Sequence, residues 1–195
     1  MPSLRRVLQS IAVAVAVTAT AACGDPPDKE LQQARDAIES ARGAGADLYA
    51  REEFSAAETA LKNATDAVDQ RDYRLALNRA LDARERAQNA AKEAVTRKAQ
   101  VRADASRALA LAGRALGDAR AKLKSAEAAR APAKVLTPAR RAIADADLAV
   151  QEARTVFGQG AYGNVIEAAN AETTRLHGVA RDLESAAGPT PRRRH

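Results

Sequence analysis

Positions 73, 77, 80, 84, 87, 91, 94, 98, 101, 105, 108, 112, 115 and 119 follow one another in alternating steps of four and three, and only Arg84 and Lys98 among them are not Tyr, Leu, Val or Ala. This spacing lays an apolar seam along one face of an α-helix, and small side chains in it let neighbouring helices approach closely. No Pro or turn cluster interrupts Tyr73 to Arg130, so one helix on the order of 85 Å is expected at about 1.5 Å per residue. Gly113 and Gly117 each cost up to about 1 kcal/mol against Ala and mark the expected place for a bend.

Shorter helices precede and follow it. The first is expected after Pro26-Pro27, with Asp28 as its N-cap, and stops at Gly43-Ala44-Gly45. A second runs from about Arg51 to Gln70, and a turn at Gln70-Arg71-Asp72 lets Asp72 cap the helix that opens with Tyr73. Beyond the long helix, Thr137-Pro138 reads as a cap residue followed by Pro at the first helical position, and Gly158-Gln159-Gly160 reads as the stop.

The same order of helices occurs twice. Ala34-Arg35-Asp36-Ala37-Ile38-Glu39-Ser40-Ala41 aligns with Ala119-Arg120-Ala121-Lys122-Leu123-Lys124-Ser125-Ala126. Ala50, Arg51 and Phe54 align with Ala139, Arg140 and Ile143; Leu61, Ala64 and Val68 with Val150, Ala153 and Phe157; Tyr73, Leu77 and Ala80 with Tyr162, Ile166 and Ala169. The register moves by four residues between the first block and the rest, which places an insertion in the loop around Ala131 to Lys134. The expected fold is all-α: an elongated antiparallel bundle of long alanine-rich helices, built as two repeated three-helix units, 29–100 and 101–187, that share the long central helix. Tyr73 and Tyr162 are expected to wedge between the second and third helices of their units.

Composition agrees with this class. Charged residues make up 29% of the chain and aromatics 3%, with no Trp and one Met, so strands are disfavoured and helices must pack through small residues. The net charge of +6 would ordinarily raise nucleic-acid binding, but it sits at the ends. Without Arg5 and Arg6, and without Arg192, Arg193 and Arg194, the helical body carries only +1, of mixed sign. A nucleic-acid partner is not expected.

Residues 1–22 have the parts of an export leader: basic Arg5-Arg6, an apolar stretch from Ile11 to Val17, and small residues before Cys23. That stretch is shorter than the roughly 20 residues needed to span a bilayer. Thr20-Ala21-Ala22-Cys23 resembles the lipobox of bacterial lipoproteins, which implies a diacylglyceryl group on the Cys23 thiol. Leu is usual where Thr20 stands, so ordinary cleavage giving a soluble periplasmic protein remains an alternative. Arg5-Arg6 also touches the twin-arginine pattern, although a generic basic start explains it. Three acyl chains would anchor the protein stably. Residues 23–28 then form a tether, and Gly24 after the cysteine, where an Asp would favour retention at the inner membrane, points to the outer membrane facing the periplasm. Residues 188–195, with Pro189, Pro191 and the arginine run, read as a disordered basic tail.

Gly45-Ala46-Asp47-Leu48-Tyr49-Ala50, the spaced Ala57, Ala60 and Ala64, and Asp72-Tyr73-x-x-Ala76 resemble the bacterial family called domain of unknown function 4398. The resemblance covers Leu31 to Ala94 well and the second unit weakly, where Pro138 replaces Tyr49 and Ala161 replaces Asp72. It implies an envelope lipoprotein. Some members add an OmpA-like peptidoglycan-binding domain; this sequence ends without one, so wall anchoring by that route is not expected. Asp72-Tyr73-x-x-Ala76-Leu77 is also similar to a helix start in tetratricopeptide repeats, whose short period the long helices do not fit.

The inventory for catalysis is poor. His177 and His195 are far apart in sequence, and Cys23 is taken by lipidation. Glu52-Glu53 and the pair Asp145 and Asp147 read as solvated helix faces, and the paired glycines, which lack a preceding strand, read as helix stops rather than phosphate loops. Phe54, Val68 and Tyr73 recur as Ile143, Phe157 and Tyr162, large and apolar with changing identity, which packing explains and a ligand groove would also use. The expected function is a non-catalytic envelope lipoprotein with a structural or protein-interaction role, using no cofactor and no metal, and partnered by the membrane and an envelope protein. A carrier of a hydrophobic ligand such as lipid is the alternative, and a hydrolase with an unrecognised site a distant third.

Overall fold

The computed structural model describes residues 25–188. Among these, six helices and no strands occur: α1 Asp28–Gly43, α2 Ala46–Tyr49, α3 Arg51–Asp69, α4 Tyr73–Ala128, α5 Ala133–Gly158 and α6 Tyr162–Ala187. The fold is an all-α helical bundle. It divides between Arg97 and Lys98 into two compact units, and α4 supplies its first part to one and its remainder to the other without a break at Gly113 or Gly117.

In the first unit Leu31 packs with Ala64 and Ala80, Ala34 with Ala60 and Ala83, and Ile38 and Ala41 with Phe54, Ala57, Ala87 and Ala90. As α1 advances, its partners in α3 fall in number and those in α4 rise. The three helices therefore run up, down and up. The second unit repeats this arrangement. Leu116, Ala119 and Ala126 are buried where the first unit buries Leu31, Ala34 and Ala41; Ala139, Ile143, Ala146 and Ala153 take the places of Ala50, Phe54, Ala57 and Ala64. Along the third helix, buried Ala76, Ala80, Ala87 and Ala94 become buried Val165, Ala169, Leu176 and Leu183. The second unit thus has the larger side chains on its third helix, and the first is packed there by alanine alone.

Both long turns of each unit end their helices the same way. Gly45 and Arg130 close the first helices, Arg71 and Gly160 the second, and all four have positive φ, between 56° and 86°. Asp72 N–H donates to Ala67 O at 2.9 Å and Arg71 N–H to Val68 O at 2.8 Å, the paired bonds of a Schellman stop. Asp72 then accepts from Leu75 N–H through Oδ1 at 2.9 Å, so it caps α4 as expected.

Four local expectations need correction. Pro27, not Asp28, occupies the N-cap of α1, and Asp28 lies within the helix with Glu30, where negative charge favours the positive end of the dipole. The loop after Gly45 contains the one-turn helix α2. Its counterpart is fused into α5, which begins at Ala133 and carries Pro138 inside rather than at its start; burial of Leu136 holds the extra turn together despite the missing N–H. Finally, the buried stripe in the first part of α4 runs through Ala76, Ala83 and Ala90 as well as Ala80, Ala87 and Ala94, and Tyr73, Leu77, Arg84 and Ala91 are half-buried at its flank. Arg84 uses that position to donate from Nη1 to Gln33 Oε1 at 2.6 Å, bridging α4 and α1. The stripe lapses over residues 95–100, all exposed, and resumes at Ala105, Ala108, Ala112, Ala115 and Ala119 in the expected register.

Candidate functional site

The residues from Gly45 to Ala50 form a tight corner between α1 and α3. Gly45 has φ 86°, and a β-carbon there would stand 3.3 Å from Tyr49 Cδ2, so conformation favours glycine and the ring would have to give by a few tenths of an ångström to admit a larger residue. Ala46 and Ala50 are buried beneath the corner. Arg51 Nε donates to Asp47 O at 3.4 Å, and Arg42, in the last turn of α1, lies 5.4 Å from the centroid of the Phe54 ring while pairing with Glu58 on α3 at 2.8 Å. Cation–π attraction and the ion pair act together to hold α1 on α3. Leu48 is left 67% exposed at the tip. Ala57, Ala60, Ala64 and Ala76 are buried with Ala46 and Ala50: the alanines of the motif are close-approach positions in helix packing.

Beside the corner lies a groove of about 530 Å³ lined by Leu48, Tyr49, Arg51, Glu52, Glu53, Glu93 and Arg97. Arg97 pairs with Glu93 at 2.6 Å, and Glu53 with Arg86 at 3.5 Å. A second open groove, about 660 Å³, follows α3 and α4 of the same unit past Ser55, Thr59, Asn63 and Arg79. Leu48 was not singled out by sequence; its signal is a leucine inside the short turn, off the periodic apolar face. The same holds for Val95, exposed directly after buried Ala94.

The other candidate residues are dispersed. His177 is exposed on α6 beside Asp118, Lys122, Arg181 and Glu184, where Lys122 and Glu184 pair at 2.9 Å. Asp145 and Asp147 bind Arg175 and Arg120 on neighbouring helices, at 3.5 and 2.9 Å. Gly45 and Gly160 are helix stops. Phe54 is buried, whereas Val68, Tyr73, Phe157 and Tyr162 are half-buried, so neither tyrosine wedges into a core. Among the described residues no three His, Cys, Asp or Glu side chains gather as a metal site, and no helix is long and apolar enough to cross a membrane. Cys23, His195 and Arg192 to Arg194 lie outside the described residues.

Residues 29–106 match the model of the family described as Domain of unknown function (DUF4398). The match takes in nearly all of α1, then α2, α3 and the first part of α4, and ends nine residues past Arg97. No curated protein and no solved structure matches the chain.

Proposed function

We propose that this chain, whose residues 29–106 belong to the DUF4398 family, is a non-catalytic envelope lipoprotein, anchored through Cys23 in the outer membrane and facing the periplasm, that binds or spaces other envelope proteins through its helical surfaces. The observation that carries the interaction role is the corner from Gly45 to Ala50. Its turn is made by the left-handed backbone of Gly45 with the Tyr49 ring beside it, and it presents Leu48 to solvent at the edge of a groove lined mainly by charged side chains. An apolar anchor ringed by charge is the usual anatomy of a protein-binding spot. The anchoring role rests on the leader and on the short stretch, Gly24 to Pro27, between Cys23 and the first helix.

Two measurements test the reading. A photo-crosslinking residue at position 48 should capture a discrete envelope protein in cells, and the same residue at exposed position 102 should not; equal capture at both sites would defeat the interaction role. Cys23→Ser should leave helical content unchanged and move the protein from the membrane to the soluble fraction after export. A mutant that stays with the membrane would remove the lipoprotein assignment.

A second reading, a carrier of a hydrophobic ligand, is favoured by one observation: the second unit has an apolar groove of about 600 Å³ between α5 and α6.

A further inference from the structure

The grooves beside the first helix turn of the two units are the same groove, duplicated and diverged. Moving 89 positions along the chain carries Tyr49, Ala50, Glu53, Glu93 and Arg97 of the first groove onto Pro138, Ala139, Ala142, Asp182 and Ala186 of the second. In the second unit Lys134, Val135, Val179 and Ser185 complete the lining, and the two valines pack on the core formed by Leu136, Ile143, Leu176 and Leu183. The first unit shows that the fold accepts Glu53 and Arg97 at these places. Packing therefore does not require the alanines at positions 142 and 186, and their apolar character is free to serve an occupant.

The lining limits what that occupant is. Six of its nine residues are apolar, Val135, Pro138, Ala139, Ala142, Val179 and Ala186, whereas the groove of the first unit is lined mainly by charged side chains. The second groove's volume of about 600 Å³ falls within the roughly 300–1,000 Å³ of small-molecule sites. Lys134 stands at one end, in the first turn of α5, which contains no acidic residue. Its ammonium forms no ion pair among the described residues. Asp182 lies on the α6 wall and repels an anion from that side. We infer that this groove binds a single-chain anionic amphiphile of the fatty-acid class, its hydrocarbon against Val135, Pro138, Ala142, Val179 and Ala186 and its carboxylate at Lys134. The inference rests on the carrier reading and assigns it a site.

The test uses the full chain carrying Cys23→Ser, so that no acyl anchor is present, and 11-(dansylamino)undecanoate as the fluorescent probe, below its aggregation threshold. Saturable binding is expected, displaced by dodecanoate and at least tenfold less well by dodecanol. Ala142→Glu and Ala186→Arg, which install the residues of the first unit, should each weaken binding by tenfold or more with circular dichroism unchanged, and Lys134→Ala should weaken it several-fold. Saturable binding that survives both Ala142→Glu and Ala186→Arg would overturn the site and leave the carrier reading standing. Absence of saturable binding would overturn both. Equal displacement by dodecanol would overturn the role of Lys134.

Discussion

Arg71 and Gly160 hold the same turn in the two units, both with left-handed backbone, φ 60° and 86°. An L-residue there carries about 1–2 kcal/mol of strain that glycine lacks, and glycine returns about 0.4–1 kcal/mol through the extra freedom of the unfolded chain. Arg71→Gly should therefore raise stability by about 0.5–1 kcal/mol, and Gly160→Ala should lower it by a similar amount, since open space surrounds Gly160 and only conformation opposes the change. Urea unfolding of the two variants reads both signs; a stabilising Gly160→Ala would refute the account.

The next residue gives a second, opposite pair. Asp72 accepts from Leu75 N–H, and Ala161 in its place leaves the start of α6 with no side-chain cap. Asp72→Ala should cost about 1 kcal/mol, and Ala161→Asp should add up to about 1 kcal/mol. Amide exchange at Leu75 and Asn164 is the direct measurement: protection should fall at Leu75 in the first variant and rise at Asn164 in the second.

Glu172 takes the position of fully buried Ala83. Its side chain is 18% exposed and reaches Arg175 at 3.6 Å, while Oε2 is out of solvent and accepts no hydrogen bond from the described residues. An unsatisfied buried polar atom costs about 1–3 kcal/mol, more than a long, exposed ion pair returns, typically below about 1 kcal/mol. Glu172→Ala should stabilise the protein by about 1 kcal/mol. A loss of stability in denaturant titration would show that the carboxylate is held by a partner such as an ordered water.

Why the sequence revealed some of this and not the rest follows from the size of alanine. From Ala105 to Ala119 the four-and-three spacing landed on the buried face. Between Tyr73 and Ala94 it followed the larger residues Tyr73 and Leu77, and these lie at the flank, because helices that approach through Ala76, Ala80 and Ala83 leave room on the seam for nothing bigger. A face with alanine in several registers does not declare which register is innermost. Pro138 misled for a related reason: Thr-Pro is a common helix opening, and only the tertiary burial of Leu136 extends α5 a turn upstream. The caps at Asp72 and the stop at Gly160 were legible because they are set by local chemistry. Leu48 and the paired grooves were not, since a groove is what two helices leave open, and no single element encodes it.

The tyrosines distinguish the two units. Both open a helix, both are half-buried, and neither hydroxyl takes part in a hydrogen bond among those found in the described residues, so any difference between them comes from their neighbours. Tyr162 faces Phe157 across the turn, ring centroids 5.2 Å apart and tilted by 57°, within the favourable range for an aromatic pair; in the first unit Val68 stands at the position of Phe157, so Tyr73 has no such ring beside it. Such a pair contributes about 0.5–1.5 kcal/mol beyond the area it buries. Tyr162→Ala should accordingly destabilise by about 1.5–3 kcal/mol and Tyr73→Ala by about 1 kcal/mol less, whereas Tyr→Phe at either position should be nearly neutral. Combining Phe157→Val with Tyr162→Ala completes a double-mutant cycle, whose coupling should equal the difference between the two single tyrosine truncations. A coupling near zero, with equal losses at Tyr73 and Tyr162, would show that the ring pair adds nothing and that the two turns are held by backbone stops alone.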